Sequence, residues 1–412
     1  MATPSVASSQ SPARPMPPYA IRQGRAASRS GKGAVRAERC GPHHVLHVLQ
    51  RCGARFPYNL RMSASPNLPG SPPQGLPQSR PDPRTAPFGS LFTDFMTLAT
   101  YRDGRWSQSE LRPLGPILLH PAIHALHYAS TCFEGFKAYR RPDGGIHVFR
   151  LDRHIERLRQ SARLLVLPEP DPEQLRSTVL RLIDRCRAEV PEAPGALYLR
   201  PLLFGTTPNV GAAGHPSEEA MLIVLASPVW DYFAGGMKPL RILMEPHART
   251  APNLGMVKTG GNYAAALGPT LAARRRYQAD QVLFCPDGQV QETGAANFLL
   301  ICNKQILTRS LDASFLHGVT RDSLLTLARD QGYNVQERVF SADEALHWVA
   351  RGEAALSGTA AVLTGVGTLI HEGQEYRVGD GGVGPYTQQL RAALVAIQRG
   401  EVPDRHGWLT EV

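Results

Sequence analysis

Cysteine is sparse: six residues in 412, none of them in a Cys-x-x-Cys pair. That excludes a disulfide-framed secreted scaffold and makes a reducing compartment the expectation. No apolar run approaches the roughly 20 residues that a membrane-spanning helix needs. No Gly-Lys-Ser/Thr closes a glycine-rich turn, so the phosphate loop of nucleotide hydrolases is missing. No internal repeat is visible. What remains is ample for two cores, since 42% of the chain is hydrophobic and 19% charged.

Acidic residues are nearly absent from the first 85 positions, where 12 of the 45 Lys and Arg meet only Glu38 and Asp82. The net charge of +10 belongs to that stretch, and the rest balances 33 basic against 33 acidic side chains. The body thus lacks an overall field for nucleic acid or anionic lipid, and neither partner is expected. Fifteen of the 35 prolines lie in residues 1–87. Such a Pro/Arg/Ser-rich segment buries too little apolar surface to order, and only 45–51 could form a helical turn. Three origins fit this tail: an organellar transit peptide, sequence upstream of a true start at Met62, or a solvated linker. The first implies a mitochondrial or plastid matrix; the others leave a cytoplasmic protein. Cys40, His43, His44, His47 and Cys52 crowd together there without the paired spacing of a zinc site, and no metal is expected.

From Phe88 on, strand-like and helix-like segments alternate. They suggest an α+β pair of domains, a smaller one at 88–230 and a larger at 239–412, joined by a linker at 231–238. Leu151, Ile155, Leu158, Ala162 and Leu165 share one face of a helix over 151–166. Asp171, Pro172 and Gln174 open a second helix with a capping box, and Ser341 with Glu344 repeats the signature. Strands are expected at 145–150, 196–204, 220–226, 240–244, 281–285 and 297–302, with a hairpin turn at 286–289.

Three places carry chemistry. Lys258 stands in a glycine-bearing turn among apolar neighbours, where desolvation would make its amine nucleophilic and able to form a Schiff base. It could equally be a surface lysine. Glu292 precedes a Gly turn and a buried-looking strand with no sequence-local partner. Beside pyridoxal phosphate it would keep the ring nitrogen protonated; otherwise it is a solvated turn glutamate. Gly318-Val319-Thr320, before a helix running on from Arg321, and Gly358-Thr359-Ala360 offer unsatisfied N–H groups for a phosphate. The Gly-rich run at 379–384 has no preceding strand and reads as a loop.

Eight segments then occur in order: LHYASTCFEGFKAY (126–139), FRLDRHIERLRQSA (149–162), LYLRPLLFG (197–205), VKTGGNY (257–263), DQVLF (280–284), ETGAANFLL (292–300), LHGVTRDSLL (316–325) and SGTAAV (357–362). Together they resemble the branched-chain amino acid aminotransferases of the class-IV pyridoxal-phosphate enzymes, over about 88–412. The resemblance implies the two-domain fold-type IV architecture, like that of D-amino acid aminotransferase, with the site between domains. It implies a homodimer or higher oligomer that moves the amino group of leucine, isoleucine or valine to 2-oxoglutarate. D-amino acid transaminases and aminodeoxychorismate lyases share that fold and are the alternatives.

Residue by residue, the resemblance implies that Lys258 joins the cofactor and carries the proton at substrate Cα. Glu292 would hold the ring nitrogen and Tyr263 the phenolic oxygen, with Gln281 nearby. Arg157, Val319, Thr320 and Thr359 would surround the phosphate; periodicity places Arg157 off the apolar helix face. Tyr198 with the Thr359 and Ala360 N–H groups would take the α-carboxylate, and Arg200, on the same strand face as Tyr198, the distal carboxylate of glutamate. Phe88, Phe133 and Tyr263 would wall the apolar side chain, Tyr128 would cross a dimer interface, and Tyr232 would help close the site. Ala295 stands where some relatives have threonine, no paired cysteines follow Thr359, and Gly268-Pro269 interrupts the helix after Tyr263.

Overall fold

A computed structural model describes residues 82–232, 236–251 and 253–412. The tail up to residue 81, with its candidate turn, metal cluster and Met62, lies outside the described residues, as do 233–235 of the expected linker. Residues 82–87 are described, and they form a turn. The Thr85 and Ala86 N–H groups donate to the Asp82 carbonyl, and the Arg84 guanidinium lies 5.3 Å over the Trp230 ring.

One sheet is antiparallel throughout. Its strands are β1 (Phe95–Arg102), β2 (Arg105–Trp106), β3 (Glu110–Pro113), β4 (Thr131–Phe133), β5 (Phe136–Arg140), β6 (Ile146–Phe149), β7 (Ala196–Gly205) and β8 (Ala220–Val229). The second sheet is mixed: β9 (Leu240–Glu245), β10 (Gln281–Phe284), β11 (Asn297–Cys302), β12 (Gln305–Thr308), β13 (Asn334–Glu337), β14 (Glu353–Gly358), β15 (Val362–His371) and β16 (Gln374–Arg377). A last strand, β17 (Leu409–Glu411), returns to the edge of the first sheet beside β6.

The helices are α1 (His124–Tyr128), α2 (Leu151–Leu164), α3 (Pro172–Arg185), α4 (Gly260–Tyr277), α5 (Val319–Asp330), α6 (Ala342–Val349) and α7 (Pro385–Gln398). α2 and α3 cover the first sheet through Leu151, Ile155, Leu158, Leu175, Val179 and Leu182, all buried. α5 and α7 pack on one face of the second sheet through Leu324, Leu325, Leu390 and Leu394. α6 packs on the other through Ala342, Ala345 and Val349.

Each expected strand is present. The capping boxes are only half formed. Asp171 accepts from Gln174 N–H at 2.8 Å and Ser341 from Glu344 N–H at 3.1 Å. The reciprocal side chains go elsewhere, Gln174 to the Ser107 carbonyl and Glu344 to Arg338. The expected hairpin at 286–289 is a turn without a hairpin ladder. Phe284 exchanges backbone bonds with Glu292 and Gln291, but β10 pairs in parallel with β9, and β11 lies between β12 and β14. α4 also differs from expectation, for it runs unbroken through Gly268-Pro269. Pro269 deprives the Ala265 carbonyl of its donor, and Ala265 is exposed, so water can serve it. α5 begins at Val319, two residues before the expected Arg321.

Pro201 in the middle of β7 explains a feature that shapes the site. Proline cannot donate to a ladder and is usually kept from central strands. Here β4 pairs with 202–204 and β5 with 197–199, so Pro201 falls in the break between two neighbours. Glu134 and Gly135 fill that break, and the Glu134 N–H donates to the Pro201 carbonyl at 2.9 Å.

Candidate active site

Lys258 lies in the loop before α4, and both its backbone groups are tied. Its N–H donates to Ser161 Oγ on α2 at 3.1 Å, and its carbonyl accepts from Phe133 N–H at 3.0 Å. Asn262 reaches back to the Leu254 and Val257 carbonyls, both at 2.8 Å. Gly255 packs so closely on Ser314 that a Cβ there would lie 2.0 Å from backbone. With its main chain fixed, Lys258 places Nζ 2.7 Å from Tyr263 Oη and 5.0 Å from the Phe133 ring centroid.

A continuous wall follows. Phe133 and Tyr263 rings are 5.3 Å apart, and the Arg200 guanidinium is 4.7 Å from Phe133. Arg200 Nη2 donates to Tyr198 Oη at 2.8 Å. Phe88 packs edge-on to Tyr198 at 5.0 Å and to Tyr232 at 6.0 Å. The structure thus brings together Lys258, Tyr263, Phe133, Arg200, Tyr198, Phe88 and Tyr232. Tyr128 stands apart on α1, half-buried, its hydroxyl on the Val210 carbonyl.

Gly135 makes room for this wall, since a Cβ there would sit 1.9 Å from Tyr198 Oη. Gly135→Ala is expected to swing the Tyr198 ring off Arg200 rather than unfold the sheet, because the clash is with a side-chain end. Raised KM for amino donors with retained cofactor absorbance would bear that out; unchanged KM would not.

Glu292 is 3% exposed and fully engaged. Oε1 accepts from Leu316 N–H at 3.1 Å and from Arg249, and Oε2 accepts from Asn297 Nδ2 at 3.2 Å. Burial pushes its carboxyl up to about 7, although Arg249 pulls the other way. The folded state therefore binds this proton more tightly than the unfolded chain, and the contribution to stability fades as pH rises from about 4.5 to 7. Cofactor-free protein is expected to lose thermal stability over that window, and Glu292→Gln to lose less. Equal slopes for parent and variant would contradict the assignment.

Arg157 lies off the apolar face of α2, where periodicity puts it, and is buried. His154, Arg157 and Ser161 form a polar stripe beside the apolar face of α2, turned toward the Lys258 loop. Glu134 receives Arg157 Nε at 2.6 Å and Nη2 at 2.9 Å, while His154 Nδ1 lies 2.7 Å away. Burial alone would raise Glu134, but Arg157 and His154 outweigh it and hold the carboxyl well below its usual range. Arg157 Nη1 donates to the His317 carbonyl at 3.0 Å, which brings the guanidinium to the entry of α5. Gly318 caps α5 without a side chain, so the first-turn N–H groups at Val319 and Thr320 lack a side-chain acceptor. A Cβ on Gly318 would lie 2.1 Å from Asn297 Oδ1. Thr359 and Ala360 form the turn between β14 and β15, and Gln281 Oε1 lies near Gly294.

These groups fit pyridoxal phosphate: a clamped amine beside a phenol, a buried carboxylate able to accept from a protonated ring nitrogen, and a helix entry with an arginine for a dianion. Arg249, Asn297, Glu134, His154, Ser161 and Lys137 were not singled out by sequence. Glu134 and Lys137 sit inside a matched segment, but nothing in spacing distinguishes them; Arg249 has no local signal at all.

Comparison with known proteins gives the family. Residues 131–368 match the amino-transferase class IV family. The chain belongs to that family, whose members depend on pyridoxal phosphate, and that is its cofactor. Among named relatives, the branched-chain-amino-acid aminotransferase of Mycobacterium tuberculosis is 39% identical over 79% of this chain and 92% of its own. The branched-chain-amino-acid transaminase 1 of Bacillus subtilis is 36% identical over 81% and 96%. Among solved structures, the branched-chain amino acid aminotransferase from Escherichia coli superposes with TM-score 0.61 at 27% identity, covering 77% of this chain and 98% of that one.

Proposed function

We propose that this chain transfers the amino group of L-leucine, L-isoleucine or L-valine to 2-oxoglutarate, giving the branched 2-oxo acid and L-glutamate. The observation that carries the reading is Lys258 Nζ, held 2.7 Å from Tyr263 Oη beside an aromatic wall that ends in Arg200. The names of the relatives support the substrate class. Pyridoxal phosphate, when bound, supplies the electron sink for a substrate carbanion. Lys258 anchors it and moves the proton at Cα; its clamped backbone fixes where the amine can reach. Glu292 holds the ring-nitrogen end and Tyr263 the phenolic oxygen. Arg157, the Val319 and Thr320 N–H groups and Thr359 hold the phosphate.

Tyr198 with the Thr359–Ala360 turn takes the α-carboxylate, and Arg200 the distal carboxylate of 2-oxoglutarate. Phe88, Phe133 and Tyr263 face the branched side chain, and Tyr232 closes over it. We read the molecule as two domains with the site between their sheets, acting as a cytoplasmic homodimer in which Tyr128 reaches the neighbouring site. Among the described residues no helix is long and apolar enough to cross a membrane.

Steady-state assays with L-leucine, L-isoleucine and L-valine against 2-oxoglutarate test this, run beside D-alanine and aminodeoxychorismate. Turnover of the L-branched donors is expected; turnover of D-alanine or aminodeoxychorismate alone would replace the reading with one of its fold relatives.

A further inference from the structure

Lys137 is a buried cation that none of these roles uses. It lies on β5 directly opposite Tyr198 on β7 and is 8% exposed. Its Nζ donates to the Ala360 carbonyl at 2.9 Å and stands 5.8 Å over the Phe88 ring. A buried ammonium is costly when its direct acceptor is neutral. Asp231 is the carboxylate whose field reaches it, and Asp231 is also 3.4 Å from Arg391. Positive charge is therefore kept at the end of the site where Tyr198, Arg200 and the Thr359–Ala360 turn meet. An anionic ligand would offset that cost.

We propose that Lys137 is a positioning residue for the substrate α-carboxylate: by holding the Ala360 carbonyl it aims the Thr359–Ala360 N–H groups, and its charge favours an anion there. This rests on the reading of that turn as the carboxylate site. Register explains why the lysine serves this end. Tyr198 and Lys137 are ladder partners, so their side chains leave the same face of the sheet, and Phe88 packs against Tyr198 and beneath the ammonium.

The test uses the cofactor-loaded Lys137→Met enzyme. KM for leucine and for 2-oxoglutarate should both rise about 10- to 100-fold, the worth of a charged hydrogen bond, with kcat within about threefold. Inhibition by 4-methylvalerate, an unreactive monocarboxylate, should weaken in parallel, and Lys137→Arg should recover part of it. Burial lowers Lys137 to about 8, with Asp231 opposing and Arg391 and Arg399 reinforcing the shift. Inhibition of the parent enzyme should therefore weaken as pH rises through about 8, and the Met variant should lack that limb.

A KM rise confined to 2-oxoglutarate would overturn the proposal, because Lys137 would then read the distal carboxylate. Unchanged inhibition in a variant that keeps its cofactor would overturn it too. Should Lys137→Met not retain cofactor, the parent titration decides alone, and inhibition flat through about pH 7 to 9.5 contradicts the role. Tyr198→Phe separates the two layers: if it also leaves inhibition unchanged, the carboxylate site itself lies elsewhere; if it weakens inhibition while Lys137→Met does not, only the lysine's role fails.

Discussion

Lys258→Ala is expected to lower leucine transamination by about 10⁴-fold, the upper end of what a positioned proton carrier contributes, while the protein stays folded. The fold should survive because the side chain contributes no core packing. Its backbone bonds to Ser161 and Phe133 are main-chain bonds that alanine keeps. What disappears is the amine beside Tyr263, and no other amine stands against that hydroxyl among the hydrogen bonds of the described residues. Single-turnover absorbance changes on adding leucine measure the loss. A variant that turns over within about tenfold of the parent would remove Lys258 from the reaction.

The second large effect concerns the ring-nitrogen end. Glu292→Gln keeps the shape and loses the charge, and kcat is expected to fall about 10²- to 10³-fold, the cost of removing one preorganised electrostatic partner. Arg249→Gln should do part of this indirectly. Without its guanidinium, Glu292 is left buried beside Asn297 and the Leu316 N–H alone, and breaking a buried pair in this way typically costs about 3–5 kcal/mol. The two outcomes differ in kind: Arg249→Gln should chiefly depress the unfolding midpoint of the cofactor-free protein, Glu292→Gln chiefly kcat. Equal, small changes in kcat for both would contradict the assignment of Glu292 to the cofactor.

Local patterns were readable wherever one element fixed the answer. The apolar stripe of α2, the caps at Asp171 and Ser341 and the buried runs of β7, β8 and β11 follow from spacing alone. Residues whose meaning depends on a distant segment were not. Arg249 meets Glu292 across 43 positions, and Lys137 meets Ala360 across 223. Periodicity recognises apolar faces only, so it sets Arg157 off the apolar stripe of α2 but carries no signature of its burial against Glu134. β17 is three residues long, too short for any pattern. The hairpin expected at 286–289 failed because turn chemistry sets the local reversal, whereas strand partners are chosen by the sheet. Lys258 and Tyr263 are joined to Glu292 as a set by the ordered resemblance, because no local pattern links the separate segments 257–263 and 292–300.

The most direct measurement is borohydride reduction of the pyridoxal-phosphate-loaded protein followed by peptide mass analysis. The account predicts a phosphopyridoxyl group on Lys258, which blocks tryptic cleavage there and yields one labelled peptide spanning Thr250 to Arg274. An unlabelled Lys258, or the label on another lysine, would contradict it.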